Sequence, residues 1–376
     1  MKILLLGEYS NVHNTLAQGL RALGHEVVVA SSGDGWKDYP RDIDLQRKST
    51  GRMESLQFLI RLLKHFRKFR GFDVVQIINP VFIRLKAERI YKFYDYLRRH
   101  NRCIVMGAFG MDHYYAKACL DMETFRYSDF NFGHSERLSH ENEQFKRDWL
   151  HGAKGELNRY VAADCDAVVA GLYEYYASYS KYLKDTGKLH FIPFPIIPRQ
   201  HQASQAFHRR PGAPARFFIG IQKDRSAYKG TDIMLHALER VKKDRPHECL
   251  IHKAVSVPFA QYVKMLDDSE VILDQLYSYT PAMNSLESMG RGLINVGGAE
   301  PENYDILQED SLRPIINVRP DEEDVYSKLL YLVDHRDELI PRLRAESVEY
   351  VVKHHDYIKV ARTYEALYRS LLKGKA

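Results

Sequence analysis

Two doubly wound α/β domains are what this sequence predicts, and three observations predict them. Short apolar runs alternate with amphipathic stretches along most of the chain. The runs are continuously apolar, as strands covered on both faces of a parallel sheet require. The alternation breaks once, at a polar stretch holding Pro, Gly and Ala, and then restarts. A length of 376 residues suits two cores better than one.

The first domain opens with "KILLLG" (2–7), a strand. "NTLAQGLRALGHE" (14–26) puts Leu16, Ala17, Leu20 and Leu23 at helical spacing and stops at Gly24, and "EVVVAS" (26–31) is the next strand, which completes a βαβ unit. Helical "SLQFLIRLLKHFRKF" (55–69), strand "DVVQIIN" (73–79), helical "LKAERIYKFYDYLRRH" (85–100) and strand "RCIVMGAF" (102–109) follow. Residues 114–160 are polar, aromatic and less periodic, and read as an insertion. Helical "ELNRYVAADC" (156–165), strand "DAVVAG" (166–171), helical "YEYYASYSKYLKD" (173–185) and a strand in "KLHFIPFPIIP" (188–198) complete it. Residues 199–215 are the linker. The second domain runs from 216 to 355, with strands in "RFFIGIQ" (216–222), "ECLIHKA" (248–254), "EVILDQL" (270–276), "LINVGG" (293–298) and "RPIINV" (313–318). Helices are expected at 231–244, at 259–268 and within "TPAMNSLESMGRG" (280–292), and two more finish the chain. In doubly wound sheets ligands sit beyond the carboxyl ends of the strands, so a cleft between two such domains is the default site.

Composition narrows the function classes. The apolar share of 45% and charged share of 28% are those of a globular protein, and a net charge of +6 permits an anionic partner without requiring nucleic acid. Four cysteines stand far apart, without metal-ligand or redox spacing. The first apolar run is too short for a signal peptide, and no stretch has the ~20 apolar residues of a membrane span. A cytoplasmic protein is the expectation. "FLIRLLKHFRKFRGF" (58–72) mixes Phe and Leu with Arg61, Lys64, Arg67, Lys68 and Arg70. It reads either as a sheet-packing helix with a solvated basic face or as a helix lying on an anionic membrane.

Two stretches point to an anion site. In "IGIQKDRSAYKGTDIMLHALE" (219–239), Lys223, Arg225 and Lys229 lie between a strand end and a helix start. In 280–292, Thr280 fits an N-cap and Pro281 the first helical position, which leaves the backbone N–H groups of Ala282 and Met283 to face an anion. Glu287, one carboxylate further along, has the acceptor geometry for the two hydroxyls of a ribose. In the first domain, "GEYSNVHN" (7–14) puts Gly7, Glu8, Ser10 and His13 just past the first strand, where they face the cleft.

"KGTDIMLHALE" (229–239) followed by "LESMGRGLINVGG" (286–298) resembles the donor domain of family-four glycosyltransferases of the GT-B fold. "AEPENYDIL" (299–307) looks like that family's Gly-Gly-x-Pro-Glu segment, and residues 319–372 look like its closing helices. The first half matches more loosely, through "RALGHEVVVAS" (21–31) and "ADCDAVVAGLYEYYASYSKYL" (163–183). The resemblance implies two Rossmann-like domains, with a final helix over 356–376 crossing back to the first. It implies transfer of a sugar from a nucleotide-diphosphate sugar (UDP-, GDP- or another) to a glycan or lipid-linked acceptor, with retention and with neither metal nor cofactor. Lys229 then holds the donor phosphates with Lys223 or Arg225, and Glu287 binds the donor ribose. Three positions depart from the family pattern. Tyr279 stands where the family has the Glu that contacts the transferred sugar, and Phe109 where it has a His near the reacting carbon. The family's Arg five residues before Lys229 is Asp224. Asp112 and His113, in "MGAFGMDHYY" (106–115), are the residues available to take over from the missing His, and Tyr279 the one available to contact the sugar. The alternative is a catalytically impaired relative acting as a nucleotide-sugar binder or partner subunit. A Rossmann dehydrogenase is set aside because neither first strand is followed by Gly-x-Gly-x-x-Gly.

Overall fold

A computed structural model describes residues 1–49, 51–199, 209–221, 226–255 and 257–375. The chain divides into two compact units. Unit 1 comprises residues 1–124, 140–195 and 357–376, and unit 2 comprises 125–139 and 196–356. Neither is a single run of sequence. The linker expected at 199–215 falls mostly outside the described residues.

Unit 1 is built on β1 (Lys2–Leu6), β2 (Glu26–Ser31), β3 (Ile43–Asp44), β4 (Val74–Ile77) and β5 (Cys103–Ala108). The chain then passes through unit 2's small hairpin, β6 (Asn131–Phe132) and β7 (Ser135–Glu136), and returns with β8 (Ala167–Ala170) and β9 (Leu189–Phe191). The unit 1 sheet is parallel, in the order β3-β2-β1-β4-β5-β8-β9. Its direction of winding reverses between β1 and β4, and that is where a doubly wound sheet opens a crevice. Ile3, Leu4, Leu5, Leu6, Val74, Val75, Ile77 and Val105 are all buried, because helices cover both faces. Before the chain enters the 196–356 run of unit 2, unit 1 forms the helices α1 (Val12–Ala22), α2 (Arg52–His65), α3 (Ala87–His100), α4 (His113–Leu120), α5 (His140–Phe145), α6 (Ala153–Asp164) and α7 (Tyr173–Leu183).

In unit 2, β10 (Ala215–Ile221), β11 (Cys249–Val255), β12 (Val271–Leu273), β13 (Ile294–Gly297) and β14 (Ile316–Asn317) form a second parallel sheet, in the order β11-β10-β12-β13-β14. Here the reversal lies between β10 and β12. Around the sheet are α8 (Ser226–Lys229), α9 (Thr231–Asp244), α10 (Phe259–Asp267), α11 (Met283–Gly290), α12 (Pro301–Leu307), α13 (Glu322–Asp334) and α14 (Arg336–His354). Alternation along β10 shows the two covered faces. Phe217 and Ile219 pack with Met234 and Leu238 of α9 and Leu329 of α13, whereas Phe218 packs with Leu266 of α10.

The insertion expected at 114–160 holds α4, the hairpin and α5, which its low periodicity hid. Three helices close the chain rather than two. The breaks at His335 and at 355–356 have no Gly or Pro to announce them, and Pro341 lies inside α14. The last helix, α15 (Tyr357–Lys373), belongs to unit 1 and packs on α1. Gly19 of α1 makes that packing possible, because a Cβ there would lie 2.4 Å from the Tyr357 carbonyl oxygen and 2.7 Å from Ala361 Cβ. Gly19→Val should therefore destabilise unit 1 by about 1–3 kcal/mol through overpacking. Urea unfolding measures it, and an unchanged midpoint would show that α1 and α15 do not approach this closely.

Candidate functional site

In unit 1 the polar residues past β1 are drawn inward. Gly7 takes a left-handed φ of 89° and lies against Ile78, at the winding reversal. Glu8 is buried, and its two oxygens accept the backbone N–H groups of His13 (3.2 Å) and Asn14 (2.8 Å), at the start of α1. Its carboxylate thus serves donors that have no carbonyl within the helix. Burial nevertheless pushes its pKa up to about 8.

His13 is fully buried. Its Nδ1 lies 2.8 Å from the Gly7 carbonyl and its Nε2 3.2 Å from Gln76 Nε2. Gln76 Oε1 in turn accepts the Tyr368 hydroxyl at 2.6 Å. The consistent assignment is a neutral ring that donates from Nδ1 and accepts at Nε2. Burial lowers the His13 pKa to about 3.

Asp112 and His113 also bear structure. Asp112 caps α4 by accepting the Tyr115 N–H at 2.9 Å, and it accepts the Tyr179 hydroxyl at 2.8 Å. Burial raises its pKa to about 6. His113 lies against α6, with Nδ1 2.9 Å from the Trp149 carbonyl and its own N–H donated to Asn158, and burial lowers its pKa. Phe109 is buried, edge-on to Phe194 and His13.

A pocket of about 180 Å³ opens at the same edge, lined among others by Glu8, Tyr9, Ser32, Asp34, Phe82 and Arg84. Ser10, Asn11 and Asp34 beside it hold left-handed φ values of 49°, 75° and 59°, a conformation that Asn and Asp tolerate and Ser rarely takes. Asp34 accepts the Ser10 N–H and the Lys37 ammonium, both at 2.9 Å, which joins the two loops. Sequence reading named Ser10 but missed Asp34 and Arg84. An acidic residue in the Gly-flanked "SSGDG" just past β2 was the available signal.

In unit 2 the winding reversal brings together the turn at 226–230 and the end of β12. Gly230 has a φ of 71° and fits under Leu276 and Tyr277, and Leu276 donates its N–H to the Lys229 carbonyl at 3.0 Å. Lys229 Nζ lies 3.7 Å from Oδ1 of the buried Asp274. Asp274 also accepts the Ser285 hydroxyl (2.9 Å) and the Asn284 amide (3.2 Å), which ties it to the first turn of α11. Asn284 accepts the Tyr262 hydroxyl at 3.0 Å. Glu287 is half-buried on the next turn. Lys223 and Arg225 lie outside the described residues.

The start of α11 is later than its sequence indicates. Ala282 is the N-cap and Met283 the first helical residue, so Thr280 and Pro281 precede the helix rather than open it. The first helical bond runs from the Leu286 N–H to the Ala282 carbonyl. The donors at the helix mouth therefore begin at Met283. Tyr279 is buried, with its hydroxyl accepting the Arg126 N–H at 2.6 Å and the Arg126 guanidinium 4.7 Å from its ring centroid. Phe125 and Tyr127 pack against the same ring.

Lys229 and the first turn of α11 are thus joined through one buried carboxylate, Asp274. Among the described residues no group of three His, Cys, Asp or Glu side chains is arranged to hold a metal ion. Asp274, Asn284 and Tyr262 were missed from sequence, although an Asp directly after the apolar run of β12 was the readable signal.

Solved structures match this architecture along the whole chain. Sucrose-phosphate synthase from Thermosynechococcus elongatus superposes with a TM-score of 0.62 at 12% identity, over 100% of both chains. Anabaena HepE, solved with UDP and glucose, gives 0.59 at 10%, over 98% of this chain and 100% of its own. WaaG, a glycosyltransferase involved in lipopolysaccharide biosynthesis, gives 0.57 at 13%, over 98% and 99%. The chain has the GT-B fold. A putative UDP-N-acetylglucosamine 2-epimerase from Listeria monocytogenes superposes too, at 0.56 and 10% identity over 100% of this chain and 97% of its own, so the GT-B fold hosts more than one chemistry. No protein-family model matches the sequence, and no curated protein matches it.

His13 gives this GT-B chain a definite pH dependence. Its folded pKa lies below its unfolded value of 6.5, so the unfolded chain takes up the proton first and stability is lost as pH falls from about 6.5 towards 3. His13→Gln, which does not titrate, should lose less melting temperature than the parent between about pH 7 and about pH 5. Equal losses would show that His13 is not held neutral.

Proposed function

We propose that this chain is a glycosyltransferase that moves a sugar from a nucleotide-diphosphate sugar to a glycan or lipid-linked acceptor. The observation that carries the reading is Lys229, fixed beside Asp274 and the mouth of α11 at the winding reversal of unit 2, in a chain with the GT-B fold. HepE, of the same fold, was solved with UDP and glucose.

In this proposal Lys229 and the N–H groups from Met283 onward meet the diphosphate, with Lys223 and Arg225 as the further cations. Glu287 takes the ribose hydroxyls. When the bond between the anomeric carbon and the phosphate oxygen breaks, its electron pair leaves on the diphosphate, the acceptor hydroxyl oxygen bonds to the anomeric carbon and its proton passes to the departing phosphate oxygen; these positive groups are where the leaving group's charge is stabilised. Retention without a metal is part of the proposal, since fixed cations at the phosphates supply the stabilisation a metal would bring. Asp112, His113 and Tyr279 act in it by holding loops rather than by moving protons. The unit 1 pocket, with Glu8, Tyr9, Asp34 and Arg84, receives the acceptor.

The chain is further proposed to work at the cytoplasmic face of a membrane. No described helix is long and apolar enough to cross one. On α2, however, Met53, Leu56, Ile60 and Leu63 are 75%, 57%, 45% and 66% exposed, whereas Phe58 and Leu62 are buried. The exposed apolar stripe thus lies further towards the N-terminus than the 58–72 stretch read from sequence. Lys64, Arg67, Lys68 and Arg70 are exposed at its end, which suits an anionic lipid surface.

Thermal shift against UDP, GDP, ADP and their sugar conjugates tests the donor site. A diphosphate at ~100 times its dissociation constant should stabilise the protein by roughly 2.7 kcal/mol. Lys229→Ala and Glu287→Ala should each abolish most of that shift, and no shift with any diphosphate at millimolar concentration would sink the proposal. Flotation with vesicles tests the membrane contact. Binding should require anionic lipid and fall about fivefold for each of Lys64, Arg67 and Lys68 replaced by Gln, and equal binding to neutral vesicles would refute it.

A further inference from the structure

The hairpin at 125–139 reaches three loops of unit 2. Arg126 donates to Glu302 (2.5 Å) and to Glu300 (2.8 Å), in and beside the first turn of α12, and Tyr127 donates its hydroxyl to Glu300 at 2.7 Å. The Arg126 N–H meets Tyr279, ahead of α11. At the other end of the hairpin, Arg137 donates from Nη2 to the carbonyls of Ala227 (2.8 Å) and Tyr228 (3.4 Å), and its guanidinium carbon lies 3.2 Å from the Tyr277 ring centroid. Nη1 of the same guanidinium donates to the carbonyls of Ser128 and Asp129, which closes the hairpin on itself.

Ala227 and Tyr228 belong to α8, the one-turn helix that ends in Lys229. A helix of four residues does not hold itself, since its nucleation is unfavourable and its last carbonyls have no helical partner. A guanidinium on those carbonyls caps the turn and opposes its negative end. The same side chain stacks on Tyr277, whose neighbour Leu276 donates to the Lys229 carbonyl. Arg137 therefore touches both segments that fix the backbone of Lys229.

We propose that Arg137 is a positioning residue for the diphosphate site of unit 2, acting by holding the turn that carries Lys229. The inference rests on the nucleotide-diphosphate reading of that site. In this proposal Arg137 acts through the turn that carries Lys229, so its effect falls on the phosphates. Arg126, ahead of β6, meets Glu300, Glu302 and Tyr279 rather than the Lys229 turn and serves as the control.

The test is calorimetric titration of UDP, GDP and ADP, each beside its nucleoside, with the parent, Arg137→Ala, Arg137→Lys and Lys229→Ala, well below the melting temperature. For whichever diphosphate binds the parent, Arg137→Ala should weaken affinity about tenfold and leave the nucleoside unchanged. Arg137→Lys, which keeps a cation over Tyr277 and one donor to the turn, should recover most of the loss. Arg126→Ala should lower the melting temperature and leave the diphosphate affinity within about twofold. If a diphosphate binds the parent and Arg137→Ala binds it equally well, or loses nucleoside and diphosphate affinity alike, the positioning role is refuted while the donor site stands. If no diphosphate binds the parent, the donor reading itself fails.

Discussion

Parallel strands that are covered on both faces leave a chain few places for polar chemistry, and everything else in this molecule follows from that restriction. Along β1, β4 and β5, and again along β10, β12 and β13, the side chains are almost all apolar and almost all buried. Charged and hydrogen-bonding groups collect where strands end. At the carboxyl ends they meet helix starts, whose N–H groups point the same way. Both candidate sites lie there for that reason, one at the β1/β4 reversal and one at the β10/β12 reversal.

Many of the polar side chains at these edges are consumed by the fold itself. Glu8 serves the start of α1, Asp112 the start of α4, and Asp274 the start of α11. A carboxylate at a helix start looks the same in a sequence whether it binds a ligand or its own helix. Asp112 and Glu8 were read from sequence as site residues, whereas the structure gives each of them backbone donors. His13 was read as a cleft residue and is the centre of a buried chain of hydrogen bonds ending at Tyr368. What distinguishes Lys229 is that its ion pair among the described residues, with Asp274, spans 3.7 Å, a loose pairing for a residue whose carbonyl accepts from Leu276.

The fold was legible because strand burial is written locally. β2 and α9 fall on the residues their apolar patterns mark, and β1 misses by one. α4 was not seen because its N-cap, Asp112, had been assigned to chemistry and its body is aromatic rather than periodic. The shifted start of α11 was hidden because Pro281 fits the first turn of a helix as well as it fits the approach to one. The hairpin contacts were beyond reach for a different reason. Arg126 and Arg137 find their partners 90 to 176 positions further along the chain, and no local pattern encodes such a pairing.

The discontinuity of the two units has a consequence for synthesis. Residues 125–139 emerge from the ribosome long before the loops of unit 2 that they bind, and α15 emerges only after the whole of unit 2. Until then α1 lacks the helix that packs at Gly19, and Gln76 lacks the hydroxyl of Tyr368. Unit 1 is thus the first to begin and the last to finish. A chain interrupted in the 196–356 run of unit 2 leaves the flank of α1 that α15 would cover open to solvent.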